Sequence, residues 1–207
     1  MNNILLDTIP YTPSLPDLMK KLHIKPDSPN ANELQAMLRN AQAIARPKAV
    51  FKIAFIEANQ SNRVVIDGVT FTSRVLSTNL ERLHRVFPYI ATCGIELDGW
   101  AHSFGDMLYR FWADAIAESA LRQAMSFLES RLNDLFHADS SDLTAEGKTP
   151  RFAKMNPGSL EEWPISEQKP LFSLLGNGPE QAGVQLTETF LMHPVKSVSG
   201  IFFSSQS

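Results

Sequence analysis

The longest regular pattern of apolar residues lies in the middle of the chain and has the spacing of a helix. Two series recur at steps of three and four residues: Phe104, Leu108, Phe111 and Ala115, then Leu121, Met125, Leu128, Leu132 and Leu135. Residues three and four apart share one face of a helix, so this spacing predicts one long helix over about residues 104–136. Between the series, Glu118 and Arg122 form either a surface ion pair or part of a site where this face meets a cavity.

Shorter helices are predicted on either side of this pattern. Ser14 is placed to cap a short helix that runs to Leu22. Residues 32–45 carry apolar side chains at helical spacing until Arg46-Pro47 stops them. A further helix is predicted over residues 77–86.

Runs rich in β-branched and aromatic residues predict the strands. Residues 4–6, 50–57 and 87–93 are such runs. Asp67-Gly68 separates two more at residues 63–66 and 69–72, and this dipeptide predicts a tight hairpin because it tolerates the positive φ that the turn demands.

The C-terminal part predicts two further strands joined by a polar, proline-stiffened loop. Residues 183–190 alternate between apolar and polar, and residues 198–203 form a second β-rich run. Gly200 interrupts that second run and marks either a β-bulge, the simpler interpretation, or the close approach of another group.

The order of these elements predicts an α+β fold. About four to six strands, many of them joined by hairpins, accompany about five helices without strict β-α-β alternation. We therefore expect a twisted, mainly antiparallel or mixed sheet packed with helices, one of which is long and central.

Length and composition suit a single folded unit. A chain of 207 residues and 23.1 kDa with 43% hydrophobic and 20% charged residues is typical of one globular domain. We expect a single domain over residues 1–207, in which residues 1–45 are an N-terminal helical extension and residues 137–150, a polar stretch, are a mobile connection.

The net charge and the lengths of the apolar runs argue against nucleic-acid-binding and membrane proteins. A net charge of −3 and a pI near 5.9 give no electrostatic reason to expect a nucleic-acid partner. No apolar run reaches the roughly 18 residues of a membrane span, and the N-terminal residues carry no basic-then-apolar signal. The expectation is a cytoplasmic protein with no membrane partner.

Cysteine and histidine usage argues against redox and metal chemistry. The one cysteine, Cys93, cannot form an intramolecular disulfide and is more typical of a small buried apolar residue than of a nucleophile. No pair of the five histidines has the spacing of zinc ligands. We assign no metal site and no catalytic residue.

Residues near the C-terminus carry a resemblance to a known family. They are Pro157-Gly158, Trp163-Pro164, Gln168, Leu171-Phe172, Gly183-Val184, Leu186-Thr187-Glu188, Met192, Pro194 and Ser197-Val198-Ser199-Gly200. In order and spacing, they resemble the activation domain of cobalamin-dependent methionine synthase, and its short, free-standing relatives most of all. The match is dense from Pro157 to Gly200, weaker over residues 50–132, and absent over the first forty or so.

The resemblance implies a role in reductive reactivation. In that family, cobalamin that has been oxidised to an inactive cobalt(II) form is methylated from S-adenosylmethionine, which the domain presents while a flavodoxin-like donor supplies an electron. The implied cofactors are S-adenosylmethionine and a cobalamin carried by a partner. That partner would be a separate corrinoid protein or a methionine synthase lacking its own activation domain, with flavodoxin or ferredoxin as a possible electron donor.

The family's ligand-binding positions fall on the Pro-Gly segment. By resemblance, Lys154 or Arg151 binds the methionyl carboxylate, while Ala153 and Pro157-Gly158 supply backbone contacts. Ser159 follows the Pro-Gly pair, where the family has a tyrosine, and Trp163 is the nearest aromatic residue that could replace it.

Further positions come from the long helix and the C-terminal loop. The loop from Pro194 through Ser197 to Ser199 would face the corrin or the partner. Arg122 stands where the family tends to place a carboxylate, and Glu118 or Asp114 could take that role with a shift of a turn or more.

These departures leave alternatives open. The family has an arginine three residues before the Pro-Gly pair, where this chain has Lys154, and arginine grips a carboxylate through two hydrogen bonds where lysine offers a point charge. One alternative to reactivation is a non-enzymatic module that docks a corrinoid protein and has lost S-adenosylmethionine binding. Another is that the C-terminal block only builds the sheet. Whether the chain is itself an enzyme or an accessory component of a methyltransferase system stays open.

Overall fold

The structure is a computed structural model that describes residues 2–137, 152–159 and 161–204. The described strands are β1 Ile4–Leu6, β2 Lys48–Phe51, β3 Ala54–Gln60, β4 Arg63–Ile66, β5 Val69–Thr72, β6 Arg85–Thr92, β7 Phe152–Met155, β8 Gln185–Leu186, β9 Met192–His193 and β10 Ser197–Ser204. The described α-helices are α1 Leu15–Lys21, α2 Pro29–Ile44, α3 Arg74–Asn79, α4 Ile95–His102, α5 Met107–His137, α6 Gln168–Leu175 and α7 Gly178–Ala182. Arg151 and residues 138–150, the greater part of the expected connection, lie outside the described residues.

An antiparallel sheet of eight strands organises the molecule around β6. β10 pairs with β6 along one edge, while β2 and β3 share the other edge, and β7 pairs with the outer side of β10. β1 extends the sheet beyond β2, and the hairpin of β4 and β5 extends it beyond β3. The predicted α+β class and mainly antiparallel sheet are confirmed.

β6 is buried on both faces because helices cover both sides of the sheet. Phe87, Tyr89 and Ala91 point to a core that includes the C-terminal half of α5. Val86 and Ile90 alternate with them and point to a second core formed with α6, α7 and the hairpin strands. The apolar continuity of this run in the sequence reflects that double burial.

A third core joins the start of α5 to the N-terminal helices α1 and α2 and to α4. Ser14 and Ser28 cap α1 and α2 by accepting hydrogen bonds from Asp17 N and Ala31 N. Residues 1–45 therefore contain the two expected helices, and they also contribute β1 to the sheet.

Two local predictions from the sequence are confirmed. The long helix is confirmed as α5, and Asp67-Gly68 closes the β4–β5 hairpin with φ of 42° and 76°. The strand predicted over residues 50–57 is two strands, β2 and β3, that follow the same edge of β6.

Two element predictions are wrong. The helix predicted over residues 77–86 is the shorter α3, because Ser73 caps it at its start and β6 already begins at Arg85 to complete the sheet. The strand predicted over residues 183–190 is only β8, because Thr187 N donates to Leu191 O and folds the chain into a tight loop. The helices α4, α6 and α7 were not foreseen.

No helix among residues 2–137, 152–159 and 161–204 combines the length and the apolar character that a bilayer crossing requires.

Candidate functional site

A groove of about 420 Å³ runs between α5 and the surface formed by β6, β7 and β10. The α5 wall comprises Glu118, Leu121, Arg122, Met125, Ser126 and Glu129. The opposite wall comprises Tyr89, Lys154, Asn156 and Val198. The groove therefore combines Glu118 and Lys154, two sequence-predicted site residues from distant parts of the chain, with Arg122 of α5.

Asn156 fastens the start of the Pro-Gly turn to the sheet. Its Nδ2 donates hydrogen bonds to Tyr89 Oη at 2.7 Å and to Ser199 O at 2.6 Å. Tyr89 is fully buried, and desolvation raises the pKa of its phenol, so the neutral hydroxyl is the form that meets Asn156. This tether fixes where β7 delivers Lys154 into the groove.

Gly200 makes that tether possible. A Cβ at this position would lie 2.4 Å from Met155 O and 2.6 Å from Asn156 Nδ2. The pairing register runs without interruption from Ser199 opposite Ile90 to Ile201 opposite Pro88. The β-bulge interpretation is therefore wrong, and the close approach of another group is the reason for glycine here.

The Pro157-Gly158 pair forms a tight turn that closes onto Trp163. Gly158 has a φ of +84°, a left-handed conformation that favours glycine, and its N–H donates to Trp163 O at 2.7 Å. Ser159 N donates to Asn156 O at 3.2 Å and is exposed on the turn. Pro157, Gly158 and Ser159 thus follow the groove wall but do not line it, and Ala153 lies in β7 opposite Phe203.

Trp163 is placed in the core and not in the groove. Its side chain is fully buried, and its ring packs edge-on against Phe71 with centroids 6.5 Å apart. Trp163 therefore does not supply an aromatic ring to the groove.

The loop before β10 is tied to both neighbouring helices. Lys196 Nζ lies 2.9 Å from Asp114 Oδ2 of α5, and Val195 N donates to Asp98 Oδ1 of α4 at 3.0 Å. Ser197 Oγ hydrogen-bonds Pro194 O at 2.7 Å. The Ser199 side chain is buried towards Gln168, so Ser199 reaches the groove wall only through its carbonyl, which accepts from Asn156.

Ion pairs mark α5 along the face that borders the loop and the groove. Lys154 Nζ lies 2.5 Å from Glu129 Oε1, and Lys21 Nζ lies 2.5 Å from Glu118 Oε2. Arg122 pairs with the other oxygen of Glu118. Three lysines from separate segments, Lys21, Lys154 and Lys196, thus form ion pairs with carboxylates of α5.

The acid stability of the protein should report on Glu118. The hydrogen bond from Lys21, its charge and the contacts from Arg122 hold the pKa of Glu118 below its usual value, although partial burial acts the other way. Because the folded-state pKa is the lower one, this stabilisation is present above the unfolded-state value of about 4.3 and is lost as the pH falls through the folded-state pKa.

We expect Glu118→Gln to be less stable than the unaltered chain at pH 7, by less than about 1 kcal/mol because the pair is partly exposed, and we expect the difference to be smaller at pH 3. Urea unfolding at the two pH values measures this difference. An equal loss at both would contradict the assignment.

Cys93 is buried, as predicted for a small apolar residue. Its thiol is fully buried, and desolvation raises its pKa to about 12. In the described part of the chain, no group of three or more His, Cys, Asp or Glu side chains is placed to hold a metal ion.

Among the residues whose hydrogen bonds and ion pairs are described above, Glu129, Tyr89, Asn156 and Lys21 were not predicted as site residues. Glu129 carried a usable signal, because it follows Glu118, Arg122 and Met125 at helical spacing. Tyr89, Asn156 and Lys21 carried none, because their roles depend on which distant elements meet.

Comparisons with known proteins place these observations in a family context. The family model for the vitamin B12 dependent methionine synthase activation domain matches residues 150–207. The fold is similar to that in the crystal structure of the MetH reactivation domain bound to AdoHcy, with a TM-score of 0.64 and 16% sequence identity over 99% of this chain and 79% of that chain. No curated protein sequence matches. The resemblance inferred from the sequence is confirmed in the C-terminal segment, and the shared fold extends over nearly the whole chain.

Proposed function

We propose that this chain binds S-adenosylmethionine in the groove and presents it to cobalamin carried by a separate corrinoid protein, as a component of reductive reactivation. The observation that carries the proposal is the groove itself. It joins Lys154 and Asn156, from the segment that matches the activation-domain model, to Glu118, Arg122 and the rest of the α5 wall.

The groove has the chemistry that such a ligand requires. Lys154 and Arg122 supply cations for the methionyl carboxylate, and Glu118 and Glu129 supply carboxylates for the ammonium and the sulfonium. Leu121, Met125 and Val198 provide apolar surface for the adenosine. A volume of about 420 Å³ falls in the usual range for small-molecule sites.

The chain's own residues have the task of holding and orienting the ligand. The bound ligand supplies an electrophilic sulfonium methyl group, for which the reduced cobalamin of the partner is the acceptor. The tether from Asn156 to Tyr89 and Ser199 keeps the β7 wall in place, so Lys154 can hold the carboxylate end while the methyl group faces outward. A flavodoxin or ferredoxin would supply the electron.

A partner surface lies beside the loop before β10. Ile95, Phe111 and Val195 are 56%, 59% and 59% exposed. Each is within a few residues of the point where Cys93 N donates to Lys196 O and Lys196 pairs with Asp114. Several large exposed apolar side chains close to one junction favour a protein contact, which agrees with a corrinoid partner.

Titration of the purified protein with S-adenosylmethionine tests the proposal, first alone and then with a cobalamin-loaded corrinoid protein. We expect micromolar binding in at least one of the two conditions. No heat of binding in either, while the corrinoid protein itself still binds, would overturn it.

The docking module is the second candidate, and one observation favours it. Both groove carboxylates and Lys154 are already paired within the chain, so a ligand must compete with internal partners for each of them. In that case the exposed apolar surface alone would serve the partner. The same titration separates the two candidates, because the docking module binds the corrinoid protein and not S-adenosylmethionine.

A further inference from the structure

Lys21 connects the N-terminal segment to the candidate site. Lys21, at the end of α1, pairs with Glu118 of α5 at 2.5 Å. This segment is held against α5 by Tyr11, whose hydroxyl contacts Ser119 Oγ at 2.6 Å, and by two hydrogen bonds between Thr12 and Gln123. The position of Lys21 is therefore set by the fold as well as by its own ion pair.

Lys21 approaches Glu118 from behind the groove. A second cavity of about 470 Å³ lies between α1 and α5, and Lys21 lines this cavity but not the groove. Glu118 lines the groove but not the second cavity, while Arg122 lines both. Lys21 thus leaves the groove sterically open while it offsets the negative charge that Glu118 brings to it.

The charges around the groove decide how it treats a cationic ligand. In the groove, the negative charges of Glu118 and Glu129 equal in number the positive charges of Arg122 and Lys154. Lys21 adds one positive charge behind the groove. A sulfonium carries a positive charge that the corresponding thioether lacks. Coulomb repulsion from the extra cation, together with the occupied Glu118 oxygen, opposes the sulfonium more than the thioether.

We propose that Lys21 sets the charge selectivity of the groove and lowers its preference for an S-adenosyl sulfonium relative to the neutral thioether. This inference rests on the proposed function, since it requires that the groove takes an S-adenosyl ligand. It assigns a specificity role to a part of the chain that lies outside the segment matched by the family model.

The test compares dissociation constants for S-adenosylmethionine and S-adenosylhomocysteine by titration calorimetry. Lys21→Met keeps the aliphatic stem and removes the charge, and Lys20→Met is the control on the neighbouring exposed position of α1. We expect the ratio of the two constants, sulfonium over thioether, to fall roughly threefold in Lys21→Met, as suits a partly exposed charge, and to stay unchanged in Lys20→Met.

A second pair of variants isolates Glu118 as the route of the effect. In a Glu118→Gln background, Lys21→Met should lower the ratio by less than in the unaltered chain, because the carboxylate that Lys21 pairs with is gone and only the direct repulsion by its charge remains. Melting temperatures establish that each variant is folded, and Lys21→Gln repeats the test if the methionine variant is not.

The outcomes separate this inference from the function on which it rests. Binding of both ligands with the same ratio in the unaltered chain and in Lys21→Met overturns the role of Lys21 alone. A ratio that rises, or that falls equally in Lys20→Met, also overturns it. Binding of neither ligand by the unaltered chain, both alone and with the corrinoid protein present, overturns the inference and the groove proposal together.

Discussion

Replacing Gly200 with alanine should lower the free energy of unfolding by about 3 kcal/mol, combining the cost of overpacking with that of disturbed buried hydrogen bonds. The new Cβ would lie 2.4 Å from a backbone oxygen, that of Met155, which cannot rotate away as a side chain could. β7 would have to move off β10, and Asn156 would lose its place against Tyr89 and Ser199.

Thermal unfolding measures this effect, and for a chain of this length the loss corresponds to a melting temperature lower by roughly 6–12 °C. Gly99→Ala is the matched control. It lies inside α4 with open space around the added Cβ, so helix propensity alone should make the protein more stable by about 0.5–1 kcal/mol. A Gly200→Ala variant that melts with the unaltered chain would show that β7 does not need this close approach.

Replacing Lys154 and Arg151 together with alanine should abolish S-adenosylmethionine binding, with an affinity loss of more than about 100-fold. Lys154 is the cation that β7 contributes to the groove, and Arg151 precedes that strand in the sequence. Without Lys154, the Glu129 carboxylate would also lose its partner and repel the carboxylate of the ligand.

Two further variants sharpen this test by calorimetry. Lys154→Arg should bind more tightly than the unaltered chain, because a guanidinium can hold a carboxylate through two parallel hydrogen bonds. Lys169→Ala removes an exposed lysine of α6 that does not line the groove, and it should change nothing. Unchanged affinity in the double variant would remove both residues from the site.

Elements were predicted correctly from the sequence where the residues that determine them lie close together along the chain. The long helix and the Asp67-Gly68 hairpin are encoded by residues close together, and both were predicted. The helix prediction over residues 77–86 failed because its helical pattern is weak and its last residues belong to β6, which pairs within the central sheet. The strand prediction over residues 183–190 failed because alternation of apolar and polar residues does not distinguish a strand from a tight loop, here closed by the hydrogen bond from Thr187 N to Leu191 O.

The site divides in the same way. Lys154 was assigned to the site by its position relative to the Pro-Gly pair, and Glu118 was one of the alternatives on the helix face. The fold brings both into one groove. Lys21 and Tyr89 could not be predicted, because one approaches Glu118 from a helix far away in sequence and the other supports Asn156 from the middle of the sheet.

The groove's two walls come from separate stretches of the chain. The β7 and β10 wall lies within the segment by which the family is recognised, whereas the α5 wall and Lys21 lie outside it. Under the proposed function, substitutions on α5 or α1 would change the ligand selectivity of the groove and leave the matched segment unaltered. A family model that covers only residues 150–207 would therefore not register such changes in selectivity.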